Sequence, residues 1–308
     1  MNKRVLITGI TGFTGRYVAR QFIKLGCEVY GFSHANNHMM EGVKQIYAIS
    51  LTNYQGLKQA IDSIKPHYVI HLAAISFVAH ADISELYKTN VIGTRNLLEA
   101  LKNASVLPES VIVASSANVY GNNISGQPLN ESTILAPVND YAVTKVSGEY
   151  ISSLYSHIFP ITVVRPFNYT GLFQNNNFLV PKIVQAAKTR QPIIELGNLD
   201  VARDFSDVRD VAQFYSELVQ SADSNQSRII NICSGDSYTL EQILEYAQQA
   251  ANHRFDEIVV NPAFVRSNEI KLLVGDPLKL NSIIHGYKRF SLQETIQWMT
   301  DINHKAID

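Results

Sequence analysis

The chain has 308 residues, 46% of them hydrophobic, with 26 basic against 27 acidic side chains and a formal charge of −1. So even a balance, with no basic run, offers no field for nucleic acid or an anionic membrane, while the length allows one large domain or two modest ones. Apolar runs such as Val111 to Ala114 are strand length, and Met1-Asn2-Lys3-Arg4 leads directly into an apolar strand without a signal-peptide pattern, so a cytoplasmic protein is expected.

Val5-Leu6-Ile7-Thr8-Gly9-Ile10-Thr11-Gly12-Phe13-Thr14-Gly15 reads as a buried strand that stops at a glycine-spaced loop and feeds a helix, Phe13 to Leu25. The spacing G-x-x-G-x-x-G differs from the usual G-x-G-x-x-G. It still lets the backbone turn tightly, approach a pyrophosphate and pack the helix on the strand, with the helix N-terminus facing the phosphates. A plain strand-to-helix turn has the same glycines, but its position after the N-terminal strand and before an apolar-periodic helix favours the nucleotide reading. Glu28 to Ser33, Gln45 to Ile49 and Tyr68 to His71 read as the next strands, with a helix over Tyr54 to Ile64. Leu86, Val91, Leu97, Leu98 and Leu101 have helical spacing and predict one helix over Ile83 to Lys102. Ser110 to Ser115 is a fifth strand, Asp140 to about His157 a helix, and Ile161 to Arg165 a sixth strand ended by Pro166.

Such alternation predicts an α/β fold with a doubly wound parallel sheet. The texture then changes: Asn168 to Asn177 is polar and turn-prone, and alternation resumes only at Asp207 to Leu218 and Arg228 to Ile232. The expected organisation is a dinucleotide-binding domain over 1–166, to which 207–232 returns, and a smaller interleaved substrate-binding domain from 167–206 and 233–308.

Tyr141 and Lys145 are four residues apart and share a helix face. A lysine cation beside a phenol favours the phenolate, so this pair can exchange a proton with a substrate oxygen, and Ser115 or Ser116 at a strand end can hydrogen-bond the same atom. NAD enzymes usually carry an acid after the second strand for the ribose hydroxyls. Ser33-His34-Ala35 has none, which favours NADP(H) over NAD(H), with Ser33, His34 and Arg16 as candidate 2′-phosphate contacts; His34 and His38 equally fit solvated loop positions. Cys27 and Cys233 have no C-x-x-C spacing and the nine histidines no ligand spacing, so no metal is expected.

At these residues the sequence resembles the extended short-chain dehydrogenase/reductases that modify nucleotide sugars, the NAD-dependent epimerase/dehydratase group. Gly9, Gly12 and Gly15 match the cofactor turn, His71-Leu72-Ala73-Ala74 the fourth-strand signature, Asn90-Val91-Ile92-Gly93-Thr94 the long-helix motif, and Ser115-Ser116-Ala117-Asn118-Val119-Tyr120-Gly121 the catalytic serine strand. The resemblance covers nearly the whole chain. It implies a Rossmann-type fold, Tyr141 as acid/base, Ser116 as its hydroxyl partner, and Lys145, which also contacts the nicotinamide ribose. It further implies cofactor contacts from Gly9, Thr11, Gly12, Phe13, Thr14 and Gly15, from Ser33 and His34, and from Leu51, where relatives often have an aspartate nearby. Leu72, Ala73, Ala74, Asn90, Ser115, Arg165 and Phe167 complete that set. His71 reads as a packed, hydrogen-bonded residue rather than a catalyst.

Dehydratases of the group place acids directly after the catalytic hydroxyl, because removing water needs proton transfer at C5 and C6. Ala117 and Asn118 occupy those positions here and cannot supply it. Arg165-Pro166-Phe167-Asn168, Glu195 to Val211, Asn231 to Gly235 and Arg266 to Pro277 closely resemble reductases of GDP-4-keto-6-deoxy-mannose, and the last stretch is also similar to GDP-mannose 4,6-dehydratase. A GDP-sugar is thus the implied substrate, with Arg203 and Arg266 clamping its diphosphate, Glu269 its ribose, and Ser76, Asn168, Lys182 and Gly197 as further contacts. Asp207 and Asp210 are expected to cap the following helix. The expected reaction is NAD(P)H-dependent reduction of the C4 ketone to GDP-D-rhamnose, or to GDP-6-deoxy-D-talose if the sugar presents its other face. The rivals are an NDP-sugar 4-epimerase that retains NAD and, less favoured, a dehydratase or a non-catalytic nucleotide-binding module. The resemblance also implies a homodimer through the helices at 83–102 and 140–157.

Overall fold

Strand β1 (Arg4–Thr8) lies inside a seven-stranded parallel sheet in the computed structural model, which describes residues 2–34, 39–76, 82–122, 126–221, 225–265 and 271–301. The other strands are β2 (Glu28–Ser33), β3 (Val43–Ala48), β4 (Tyr68–His71), β5 (Ser110–Ala114), β6 (Ile161–Pro166), β7 (Asn168–Thr170), β8 (Ile193–Leu196), β9 (Ala202–Asp207), β10 (Arg228–Ile232), β11 (Ser237–Thr239), β12 (Glu257–Val260) and β13 (Leu272–Leu273). The helices are α1 (Phe13–Lys24), α2 (Tyr54–Ile64), α3 (Ile83–Tyr87), α4 (Gly93–Lys102), α5 (Asp140–Ser153), α6 (Leu179–Lys188), α7 (Val208–Gln220), α8 (Leu240–Ala251), α9 (Leu278–Asn281) and α10 (Leu292–Thr300). Sheet order is β10-β6-β5-β4-β1-β2-β3, reversing direction between β1 and β4. The crevice at the carboxyl ends of those two strands is where such sheets bind ligands.

The central strands are nearly continuous apolar runs because helices cover both of their faces. Alternate side chains of β1 go to opposite layers. Val5 and Ile7 pack with Val18 and Phe22 of α1 and Val211 and Phe214 of α7, whereas Leu6 packs with Leu57 and Ile61 of α2 and Leu97 and Leu101 of α4. A third core, formed by Val180 and Ile183 of α6, Ile243 and Leu244 of α8 and Ile296 of α10, supports a four-stranded sheet of β7, β9, β11 and β13. These short strands and the β8–β12 pair carry no alternation that sequence reading could detect. β10 belongs to the large sheet, paired parallel with β6.

The single helix expected over 83–102 is interrupted by a π-helical turn, Lys88–Ile92, between α3 and α4. Asn90 is the reason visible in the packing. Its amide bonds both backbone groups of Ile75, at 2.8 and 3.0 Å, and the Thr144 hydroxyl at 3.1 Å, so the wider turn carries a buried polar side chain inward. Helix α5 ends at Ser153, short of His157.

Candidate active site

The glycine turn has the shape of a phosphate cradle. Gly9 has φ 68°, a left-handed conformation that glycine tolerates, and a Cβ there would sit 3.0 Å from the backbone of Ala73. Gly12 caps α1 without any side-chain hydrogen bond, leaving N–H groups of the first turn to a ligand. At Gly15 a Cβ would come within 2.3 Å of the Gly9 carbonyl oxygen and 2.7 Å of the Ile10 Cα. Both neighbours are backbone and neither can step aside. Gly15→Ala is therefore expected to raise the Kd for nicotinamide dinucleotide by at least about tenfold, since overpacking of this kind typically costs 1–3 kcal/mol or more. Fluorescence titration of the variant checks this, and wild-type affinity would show that the turn is not held by its close packing.

Behind the turn, His71 closes a buried chain. Thr94 Oγ1 donates to the Asn90 carbonyl at 2.6 Å, so it accepts from His71 Nε2–H at 2.9 Å. Nδ1 is then the acceptor for the Thr8 hydroxyl at 2.8 Å, and Thr8 Oγ1 in turn accepts from the backbone N–H groups of Leu72 and Ala73 at 3.2 and 3.0 Å. Burial pushes the imidazole down to about 3, so it is neutral at physiological pH. The residue organises the β1 and β4 ends.

Ser116, Tyr141 and Lys145 line one cleft of about 1820 Å³ together with the glycine turn. Ser116 caps the 3-10 turn Ala117–Tyr120, its Oγ accepting from the Asn118 N–H at 3.2 Å. Tyr141 is 7% exposed and meets the Ser116 hydroxyl. Asn139 caps α5 by accepting from the Ala142 N–H at 2.8 Å, which fixes the helix start beside the cleft. Lys145 Nζ donates to the Ala114 carbonyl at 2.8 Å and lies 5.7 Å from the Tyr141 ring centroid. The expectation that lysine depresses the phenol is corrected here. Burial dominates and pushes Tyr141 up to about 12, with the Ser116 hydrogen bond pulling the other way. Burial also pushes Lys145 down to about 8, which Glu149 opposes.

Most of the remaining candidates line the same cleft: Thr11, Phe13 and Thr14; Ser33 and His34; Leu51; Leu72, Ala73 and Ala74; Ser76; Ser115; Phe167 and Asn168; Lys182, Gly197 and Arg203. Two do not. Arg165 is buried in a bidentate ion pair, Nε to Glu149 Oε1 at 2.9 Å and Nη2 to Oε2 at 2.6 Å, so its guanidinium is occupied away from any cofactor. Asn90 acts on Ile75 and Thr144 instead. Arg16 donates to the Thr11 carbonyl at 3.0 Å and is not among the lining residues. Arg266 and Glu269, like His38, lie outside the described residues. Asp207 caps α7, accepting from the Arg209 N–H at 2.7 Å; Asp210 instead accepts from Tyr287 Oη and the Phe290 N–H, at 2.8 and 2.9 Å, and burial pushes it up to about 6.

Sequence reading missed several lining residues. Tyr169 stacks on Phe13 with centroids 5.9 Å apart and its hydroxyl meets Thr14 Oγ1 at 2.8 Å, joining the cofactor turn to the β7 segment. Phe173 sits in the cleft with φ 68°, unusual for a bulky residue, and Phe264 lies under the Lys182 ammonium at 4.0 Å. The polar 168–177 stretch was a signal for the first two, and no local pattern marks Phe264. Among the described residues no group of three or more His, Cys, Asp or Glu could hold a metal, and no helix is long and apolar enough to cross a membrane.

Residues 6–299 match the family model described as GDP-mannose 4,6 dehydratase. The chain is 36% identical to a GDP-6-deoxy-D-talose 4-dehydrogenase of Aggregatibacter actinomycetemcomitans, over 94% of this chain and 93% of that protein. It is 28% identical to a GDP-6-deoxy-D-mannose reductase of Pseudomonas aeruginosa, over 96% of each. The structure of RMD from Pseudomonas aeruginosa complexed with NADPH aligns with TM-score 0.81 and 25% identity, covering 97% of this chain and 98% of that one. Other solved neighbours carry NAD. By its match over residues 6–299 and its α/β architecture, the chain belongs to the GDP-mannose 4,6-dehydratase family, sugar-nucleotide enzymes of the NAD(P)-dependent short-chain dehydrogenase/reductase type.

Proposed function

We propose that this enzyme reduces the C4 ketone of GDP-4-keto-6-deoxy-D-mannose. The observation that carries the reading is the content of the serine strand: Ser116, Tyr141 and Lys145 line the cleft, but the next two residues are Ala117, 2% exposed, and Asn118, whose amide donates to Ser116 Oγ at 3.3 Å. Neither can move the protons that loss of water requires, while reduction of a ketone needs only one proton donor. Bound NAD(P)H supplies the hydride for C4. Tyr141 holds its proton at neutral pH and gives it to the C4 oxygen as charge develops there, with the Ser116 hydroxyl as a second donor to that oxygen. The Lys145 cation then stabilises the phenolate left behind. Arg203 and Lys182 face the same cleft and are assigned to the GDP diphosphate, and Asn168 to the sugar.

Higher identity to the talose enzyme than to the mannose reductase, 36% against 28%, moves the favoured product from GDP-D-rhamnose to GDP-6-deoxy-D-talose. NADP(H) is the favoured cofactor: His34, exposed at the end of β2, lines the cleft, and no acid follows it in Ser33-His34-Ala35. His34→Asp is expected to lower kcat/KM for NADPH relative to NADH by at least about tenfold, because a carboxylate there repels the 2′-phosphate. An unchanged ratio in parallel assays would remove His34 from that contact. Tyr150 of α5 and Leu154 just past its end, 68% and 67% exposed, fit burial against a second copy of the chain, which sedimentation equilibrium tests.

Loss of reduced-nicotinamide absorbance on adding freshly generated GDP-4-keto-6-deoxy-D-mannose, with NMR of the product, tests the reaction. One cofactor oxidised per sugar supports it. No oxidation, with NAD released on denaturation, favours the epimerase.

A further inference from the structure

The last residues of the β5 segment pair one by one with successive turns of α5. The Ala114 carbonyl accepts from Lys145 at 2.8 Å, the Ser115 hydroxyl donates to Glu149 Oε1 at 2.5 Å, and Ser116 meets the Tyr141 hydroxyl. Tyr141, Lys145 and Glu149 recur every four residues and so occupy one helix face. Glu149 is clamped from the other side by Arg165 of β6, whose Nη1 also donates to Tyr120 Oη at 3.0 Å and to the Glu131 carbonyl at 3.2 Å. Side-chain exposure across the ion pair is 4% for Arg165 and 7% for Glu149. Burying such a pair carries a desolvation penalty that its attraction often fails to offset, so stability alone is a weak reason for it.

We propose that Glu149 is a positioning residue for the ketone reduction, locking the 114–116 strand end onto the Tyr141–Lys145 helix face and placing its carboxylate one turn from Lys145 on that face. The inference rests on the ketoreductase reading for its kinetic part only. Among the described residues, the charged and titratable groups around Lys145 leave Glu149 as its negative partner. On its own helix Tyr141 is a neutral phenol; from β4, His71 is neutral; from β6, Arg165 is a second cation, itself paired with Glu149. Tyr169 and Tyr215, also near Tyr141, are phenols that burial pushes up and keeps neutral. Glu149 is the group that raises Lys145 against its desolvation.

Two variants separate geometry from charge. Glu149→Gln keeps a hydrogen-bond acceptor for Ser115 but removes the charge, whereas Ser115→Ala keeps the ion pair and removes the strand-end bond. In the cofactor-free protein labelled with 13Cε-lysine, with Lys145 assigned by comparison with Lys145→Arg, its titration is expected to fall by about one pH unit or more in Glu149→Gln and to stay in place in Ser115→Ala. The alkaline limb of ketone reduction moves down with it in Glu149→Gln. Ser115→Ala lowers kcat by about tenfold while the Lys145 titration stays in place, as expected for misplacement of a proton donor. Thermal melts establish that both variants are folded at the assay temperature. Wild-type titration of Lys145 in Glu149→Gln, or wild-type kcat in Ser115→Ala, overturns the proposal. If Glu149→Gln does not fold, Ser115→Ala decides it by kcat. If the wild-type chain reduces no ketone, the ketoreductase reading fails, and the lysine titration still reports whether Glu149 holds that charge.

Discussion

Tyr141→Phe is expected to lower kcat for ketone reduction by about 10²–10⁴-fold while leaving the NADPH Kd within about twofold. The substitution removes one oxygen from a side chain that is 7% exposed and keeps the ring that packs in the cleft, so the helix and the glycine turn are undisturbed. What is lost is the proton. Ser116 remains and can still hydrogen-bond the C4 oxygen, but a serine hydroxyl is a weaker acid than a phenol and does not replace the proton. Because Tyr141 is pushed up to about 12, its protonated form is present through neutral pH and ketone reduction needs no prior protonation. The alkaline loss of activity is assigned to Lys145, pushed down to about 8, so rates hold below that pH and fall as pH rises through it. Stopped-flow cofactor oxidation with isothermal titration of NADPH measures both quantities. Retained turnover would remove Tyr141 from the proton path, and lost cofactor binding would recast it as a binding residue.

Arg165→Met is expected to cost about 3–5 kcal/mol, because it leaves the Glu149 carboxylate buried without its cation. For a chain of this length that is a fall of about 10 °C in Tm. The replaced guanidinium also holds Tyr120 Oη at 3.0 Å, and Tyr120 in turn donates to Asn231 Oδ1 at 2.7 Å, so the loss spreads from β6 to β10. Adding Glu149→Leu removes the orphaned charge and should recover part of the loss. Below its melting range Arg165→Met should bind NADPH with wild-type affinity, since the guanidinium faces Glu149 and not the cleft. Differential scanning calorimetry and the same titration check this, and a specific loss of cofactor affinity would restore Arg165 to the cofactor contacts.

That arginine marks the boundary of what the sequence could reveal. The large sheet was readable because buried parallel strands are uninterrupted apolar runs between periodic helices, and the glycine turn and the Tyr141–Lys145 pair because their chemistry depends on short, fixed spacings. Arg165 sits in a recognisable motif, yet its partner Glu149 is set by how α5 docks against β6. Asn90 also belonged to a recognisable motif; its bonds to Ile75 turn a regular apolar periodicity into a π-helical turn. Residues that line the cleft from afar, such as Phe264 below Lys182, carry no local signal at all. The small sheet escaped notice for a related reason: β11 and β13 span only three and two residues, too few to show a period. At Tyr141 the spacing identified the helix face, but the direction of the pKa shift depended on burial, which the spacing does not contain.

The central claim is that hydride passes from an added cofactor to C4 of the sugar, with Tyr141 supplying the proton. Turnover of GDP-4-keto-6-deoxy-D-mannose with NADPH dideuterated at nicotinamide C4, followed by NMR and mass analysis of the product, tests it most directly. One deuterium at C4 per sugar is the predicted result, and the H3–H4 coupling of the product made in parallel with unlabelled NADPH gives the stereochemistry. A product or epimer formed without deuterium, while the labelled cofactor stays reduced, would contradict it.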